Sequence, residues 1–262
     1  MNGSQNSSDA ARAKQAVQRF WDAQPCGTRQ VTSEIGSRDF FEKLEQHRYR
    51  AERFIPRLVD FSRWRGHQVL EIGCGIGTDA LQFLRSGAEL TALDLSSRSV
   101  RLASARAQQE GHPARFLNAD AEGLPFPDAS FDLVYSWGVL HHTPDTQAAI
   151  DEVCRVLRPG GTALVMLYHR HSLRCLLFYL RQGLLRGRPL TSLSRLLARY
   201  HSESPGTKAY TKSEVRQMFR AFARVRIQPI LTPYDTRPRL YPWLRHLLPD
   251  VLGWFLFMEA VK

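Results

Sequence analysis

Val69-Leu70-Glu71-Ile72-Gly73-Cys74-Gly75-Ile76-Gly77-Thr78-Asp79 reads as a buried strand ending in a carboxylate, a turn with glycine at alternate positions, and the start of a helix. Glycine adopts left-handed backbone without penalty and lets main-chain amides approach a ligand at the mouth of a parallel sheet. Alone, a glycine turn after a strand is a weak signal. The spacing here is GxGxG, with Thr78-Asp79 where a dinucleotide-binding loop would carry its last glycine.

Working outward, strands alternate with helices. Strands are predicted at 68–72, 89–95, 114–118, 131–136 and 162–168, and helices at 78–85, 97–109 and 145–157. Arg158-Pro159-Gly160-Gly161 reads as a turn. Such alternation predicts a parallel, doubly wound sheet. Upstream, 10–23 has helical spacing with Ala13, Val17, Phe20 and Trp21 on one side, and 37–54 places Phe40, Phe41, Leu44 and Tyr49 likewise. Pro56 ends or bends that second helix.

The span 169–209 interrupts the alternation with amphipathic helices at 172–181 and 190–200. Thr211 and Glu214 have capping-box spacing. Late strands at 222–230 and 254–261 flank a Pro- and Arg-rich stretch, 231–249, that reads as a loop or lid. The organisation that follows is a disordered tail (1–9), an N-terminal helical lid (10–60), a cofactor core (61–168), a helical substrate-cap insert (169–210) and a C-terminal return to the sheet (211–262).

At 262 residues, with 43% hydrophobic and 23% charged residues, the chain is an ordinary globular α/β domain with additions. No apolar run reaches the ~20 residues that span a bilayer. The polar start lacks the apolar core of a secretory signal. Cys26, Cys74, Cys154 and Cys175 form neither a CxxC pair nor a metal spacing, so no metal site is expected and a reducing, cytoplasmic setting is the default. The net charge of +11 is uneven: residues 170–245 hold 16 Lys/Arg against 3 Asp/Glu, and the remainder is near neutral. An anionic substrate, an acidic membrane surface or RNA would each meet such a segment, as would solvent alone.

Three acidic positions fall in register with the glycine turn. Glu71 and Gly73, Gly75 and Gly77 suit a ligand end bearing an ammonium and a carboxylate, the latter drawn to helix-start amides at Thr78 and Asp79. Asp94 closes the second strand, 21 residues after Gly73, where a carboxylate accepts two ribose hydroxyls. Asp120 follows the third strand, placed for an adenine amino group, with the Ala121 amide reaching a ring nitrogen and Leu95 and Ala121 enclosing the ring. Ser96, Ser136 and Trp137 complete the cofactor-side set. The ligand with all three parts is S-adenosylmethionine, leaving as S-adenosylhomocysteine.

Residues 68–168 resemble the class I S-adenosylmethionine-dependent methyltransferases, close to the ubiquinone/menaquinone-biosynthesis subgroup. The resemblance rests on Val69–Thr78, Ala92-Leu-Asp-Leu-Ser96, Asn118-Ala-Asp-Ala-Glu-Gly-Leu-Pro-Phe126, Phe131–Ser136, Val139-Leu-His-His142 and Arg155–Gly161. It implies a Rossmann-like, seven-stranded, mostly parallel sheet with an antiparallel last strand and helices on both faces. It also implies N-terminal helices folded over the cofactor, with Trp21 and Arg29 as lid residues.

On the acceptor side, His141 and His142 follow the fourth strand, and Tyr168 and His169 end the fifth; all four are candidates for substrate contact or general base. The expected activity is methyl transfer to a small apolar or aromatic molecule by in-line displacement. A membrane-peripheral quinone or lipid methyltransferase is the alternative, and an RNA methyltransferase or a non-methylating binder lies further off. The oligomeric state stays open.

Overall fold

In the computed structural model, residues 2–200, 204–235 and 246–262 are described. The sheet is seven-stranded: β1 (Gln68–Ile72), β2 (Glu89–Asp94), β3 (Arg115–Asn118), β4 (Phe131–Trp137), β5 (Leu157–Tyr168), β6 (Arg224–Ile230) and β7 (Phe255–Val261), in the order 3-2-1-4-5-7-6. Strands β1 to β5 pair in parallel, and β7 runs antiparallel between β5 and β6. The expected Rossmann-like architecture is therefore present.

Alternate residues sort to opposite faces, as the period of a pleated strand requires. Val69, Ala92, Leu133, Tyr135 and Leu164 pack with Ala80, Phe83 and Ala103 of α4 (Thr78–Arg85) and α5 (Ser97–Gln109). Leu70, Leu93, Val134, Ala163 and Val165 pack with Ile150, Val153 and Val215 of α6 (Thr146–Val156) and α9 (Lys212–Met218). The Thr211–Glu214 capping box starts α9 as expected.

Four expectations are corrected. Helix α1 spans Asn2–Ala23 and so covers most of the stretch read as a disordered tail; Met1 lies outside the described residues. Its inward face keeps the expected Val17, Phe20 and Trp21 but not Ala13, which is exposed, and adds Lys14, Gln18 and Asp22. The second predicted helix stops at Ala51 as α2 (Arg38–Ala51), and Pro56 lies in the first turn of a separate short helix, α3 (Ile55–Val59). Arg158–Gly161 is no free turn: β5 begins at Leu157 and continues through a register shift, because the end of β7 holds it by Gly160 N–H to Lys262 O (3.0 Å) and Lys262 N–H to Gly161 O (3.0 Å). Residues 236–245 of the predicted loop lie outside the described residues.

Beyond the sheet, α2 seats Phe40, Phe41 and Leu44 on Ile76 of the glycine turn. The buried Arg106 of α5 donates to Glu45 Oε2 (2.5 Å) and Thr78 Oγ1 (3.0 Å), fastening α2 to the start of α4. The insert forms α7 (Leu173–Gln182) and α8 (Leu193–Tyr200).

Strand order reverses between β1 and β4, which opens a crevice at their carboxyl ends. The glycine turn sits there, with Gly73 N–H and Cys74 N–H both donating to Leu93 O at 2.7 and 2.9 Å. Gly73 has φ +77°, and an added Cβ would lie 2.2 Å from Val139 Cγ2. Gly73→Ala should therefore lose about 3 kcal/mol of stability in urea unfolding, combining left-handed strain with overpacking.

Candidate functional site

The crevice holds a cavity of about 230 Å3 whose wall collects the carboxyl ends of four strands: Glu71 to Cys74 after β1, Asp94-Leu95 after β2, Asp120-Ala121 after β3, and Trp137-Gly138 at β4. Gly75, Thr78 and Asp79 complete the turn side, and α1 closes the opening with Lys14, Val17 and Trp21. Of the expected cofactor residues, Gly77, Ser96, Ser136 and Arg29 do not line this cavity. Gly77 packs against Ala103, where a Cβ would come within 3.1 Å. Ser96 caps α5, accepting from Ser99 N–H at 3.1 Å, and donates to Asp22 Oδ1 at 2.8 Å. Ser136, fully buried, donates to Ile72 O at 3.1 Å. Arg29 is exposed and lies at a neighbouring hollow instead.

The acidic residues have distinct environments. Asp94 Oδ2 accepts from Gly75 N–H (2.9 Å) and Oδ1 from Ser96 N–H (2.8 Å), so each oxygen retains a lone pair. Asp79 is saturated: it accepts from Arg48 Nη2 (2.6 Å), Tyr49 Oη (2.7 Å) and Tyr135 Oη (2.8 Å). Burial works against its charge, but Arg48 and these hydrogen bonds outweigh it and hold Asp79 low. Asp79 is thus a structural anchor. Asp120 is paired with Lys14 of α1, which also reaches Glu122 Oε2 at 2.7 Å.

Glu71 differs from all of these. It is buried, and its Oε2 has no hydrogen-bond partner. Burial first, then the charges of Asp79 and Asp94, push its carboxyl well above the usual range against the pull of Arg48. Burial likewise raises the Cys74 thiol, which suits a packing residue and not a nucleophile.

A second hollow adjoins the first, sharing Trp21, Glu52, Trp137, Gly138, His142 and Tyr234. Its walls are aromatic: Phe20, Tyr168, Trp254 and Phe255 add to the shared rings, and Arg29 and Arg174 also line it. Tyr168 stacks on Trp254 with centroids 4.2 Å apart. The buried Glu52 accepts from Trp137 Nε1 (2.9 Å) and Tyr234 Oη (3.1 Å).

The four candidate catalytic residues separate here. His142 lines both hollows and Tyr168 the second. His141 is fully buried between His142 and Tyr168, with ring centroids 4.2 and 3.8 Å away. His169 is buried, and its Nδ1 lies 3.0 Å from Gly253 O. Neither of these two lines a hollow. His142 Nδ1 is met by two hydroxyls, Ser204 Oγ at 2.7 Å and Thr207 Oγ1 at 3.1 Å, and Thr207 Oγ1 also donates to Ser204 O (2.9 Å). Among the described residues, no group of three His, Cys, Asp or Glu side chains is placed to hold a metal.

The sequence reading missed Lys14, Gln18, Arg48, Glu52 and Tyr234. Lys14, Gln18 and Asp22 do leave a signal, a polar stripe at four-residue spacing beside the apolar face of α1. Glu52 and Tyr234 leave none, because they meet only through the fold.

Known proteins resemble this chain chiefly over the part that builds the cavity. The family described as "Methyltransferase domain" matches residues 70–165. A 27-O-demethylrifamycin SV methyltransferase of Amycolatopsis mediterranei is 41% identical over 99 residues, 37% of this chain and 36% of that one. A sterol 24-C-methyltransferase of Aspergillus fumigatus is 27% identical over 188 residues, 58% of this chain and 50% of its own length. The chain thus spans at most about half the length of these relatives. Among solved structures, a Haemonchus contortus phosphoethanolamine N-methyltransferase bound to phosphomonomethylethanolamine and S-adenosylhomocysteine shares the fold, with a TM-score of 0.58 at 22% identity over 78% of this chain and 52% of that one.

The cavity fits S-adenosylmethionine on its own terms. Glu71 offers a buried, unpartnered carboxyl oxygen. Gly75 has no atom within 4 Å of where a Cβ would stand, leaving space beside its backbone. Glu52, Glu71, Asp79 and Asp94 outnumber the guanidinium of Arg48 around it, an imbalance suited to a cation. A positive ligand favours ionised Glu71, so binding should release a proton. Cofactor affinity should then rise with pH up to the raised pKa of the empty site and level off above it. Calorimetry in buffers of different ionisation enthalpy reads the released proton. Glu71→Gln should abolish that release and weaken binding roughly ten- to a hundredfold.

Proposed function

We propose that this chain is an S-adenosylmethionine-dependent methyltransferase acting on a small apolar or aromatic molecule, of natural-product or quinone-like type. The observation that carries the reading is the junction of two spaces. An acidic, glycine-walled cavity meets an aromatic hollow at Trp137, Gly138 and His142. The match to a methyltransferase domain over residues 70–165 supports the first space, and the aromatic lining supports the acceptor class.

Bound in the cavity, the cofactor would supply a methyl group already activated by its sulfonium. The residues that would hold it are Glu71, Asp94 and Asp120 with the amides of Gly73 to Gly75. This chain's own work is alignment, with reacting groups held together and water kept out. Trp21, Trp137 and Tyr168 clamp a flat acceptor, and Arg29 and Arg174 meet any anionic group it carries. For an acceptor that loses a proton, the His142 imidazole takes it. His141 positions His142 and Tyr168 by packing between them.

The test is transfer itself. Incubation with S-adenosylmethionine and a panel of phenols, hydroxyquinones and aromatic amines should yield a product heavier by one methyl group, together with S-adenosylhomocysteine. His142→Gln should slow transfer to hydroxyl acceptors about a hundredfold, a larger loss than for acceptors that keep their proton. Cofactor binding with no methyl gain across the panel would favour a non-methylating binder.

In the same reading residues 10–60 act as a lid and 169–210 as the acceptor-side cap. Gln18 Nε2 donates to Leu95 O (3.1 Å), and Asp22 Oδ1 accepts from Ser96 Oγ (2.8 Å) and Arg98 N–H (3.3 Å). These contacts hold α1 across the cavity. Gln18→Ala combined with Asp22→Ala should speed cofactor release about tenfold in stopped-flow fluorescence. An unchanged off-rate would mean that α1 is no lid.

A further inference from the structure

The outer face of the insert carries an arrangement that a water-facing surface does not need. Helix α7 turns Cys175 and Phe178 inward against the core and turns leucines outward. Leu176, Leu177 and Leu180 are 55%, 50% and 37% exposed, and the turn that follows leaves Leu184 and Leu185 45% and 83% exposed. Leu190, further along the same connection, is 98% exposed. Scattered exposed leucines are ordinary; a run of them along one helix and its following turn marks a contact surface.

The charge around these leucines has one sign. Residues 170–200 contain seven arginines and no Asp or Glu. Arg181, Arg186 and Arg195 are exposed and make no ion pair among the described residues. Leucines ringed by unpaired arginines match the two layers of a bilayer surface: acyl chains for the leucines, anionic headgroups for the guanidinium groups. Two other occupants fit less well. RNA would use the arginines and leave the leucines in water. A second copy of this face would bring two arginine sets together without counter-charge.

We infer that the face formed by α7 and the connection to α8 docks on an anionic lipid bilayer. No helix among the described residues is long and apolar enough to cross a membrane, so the contact is peripheral. The face also adjoins the acceptor hollow. Arg174 of α7 lines that hollow, lies over the Trp254 ring at 5.6 Å and donates to Tyr234 O at 2.7 Å. On the acceptor reading, from which docking is otherwise independent, a membrane-dissolved acceptor reaches the hollow along α7.

Docking is measured without turnover, so its failure is distinct from failure of the proposed activity. The full chain is sedimented with phosphatidylcholine vesicles and with vesicles that also contain phosphatidylglycerol. Binding is expected to the second kind and to weaken as salt rises. Leu177→Glu combined with Leu185→Glu should cut it by about tenfold or more, with thermal melting unchanged. If that variant fails to fold, Arg181→Ala, Arg186→Ala and Arg195→Ala together should give the same loss. Equal sedimentation with both vesicle types overturns the inference, as does full binding by the folded leucine variant. Absence of vesicle binding also overturns it, whether accompanied by salt-sensitive tRNA binding or by a dimer that the leucine variant disrupts.

Discussion

Asp79 joins the parts of this molecule that would otherwise lie side by side. It stands in the first turn of α4 and receives the Arg48 guanidinium and the Tyr49 hydroxyl from α2, and the Tyr135 hydroxyl from β4. One buried carboxylate thereby fixes the helix above the glycine turn, the turn's own helix and the strand across the crevice. Its charge has a second effect. Neutralised locally by Arg48, it still raises the proton affinity of Glu71, which has no direct counter-ion. The fold's anchor and the cavity's electrostatic demand for a cation are the same group seen at two distances. An unpaired Arg48 would be costly at this depth, so the anchor tolerates little change.

Arg48 and Glu52 extend the arrangement to the second hollow. They lie 3.6 Å apart on successive turns, and Glu52 gathers the Trp137 indole and the Tyr234 hydroxyl at the boundary of the two hollows. Burial pushes Glu52 up and Arg48 draws it down. The ring of Trp137, held by that bond, faces both spaces. Arg48 itself lines both hollows, so a displacement of it reaches the Trp137 wall through Glu52 as well as directly.

How much of this was legible in the sequence follows from how local each feature is. Strands β1 to β4 and helices α4 and α5 were readable because each is one apolar run closed by glycine or a cap, and their order placed Glu71, Asp94 and Asp120 on one edge. The β5 bulge was not readable, since Arg158–Gly161 is held in the ladder by Lys262, a partner about a hundred residues away. The face of α1 was misjudged because apolar residues alone were counted, whereas Lys14, Gln18 and Asp22 do its docking through polar bonds. Asp79 was expected at the ligand, yet the donors that consume it come from Arg48, Tyr49 and Tyr135, which no local pattern links to it. Trp21, Arg29, His142 and Tyr168 of the second hollow were readable in the sequence, but Glu52, Tyr234 and Trp254 converge on it from three separate parts of the chain and leave no signature.

The division of charge then makes physical sense as a whole. The cofactor core is near neutral in sum but acidic where it is concave, which suits a cationic nucleoside taken from water. The later segment is basic and carries exposed leucines on α7 and the turn after it, which suits a surface. Opposite signs in one domain would attract and collapse onto each other if they shared a face. Here Arg174 of α7 reaches the aromatic hollow but spends its charge on Trp254 and the Tyr234 carbonyl. On the proposed reading a flat acceptor would lie among the aromatic rings of this hollow, with Glu52, Arg29, Arg48 and Arg174 also in its wall to meet any charge it carries.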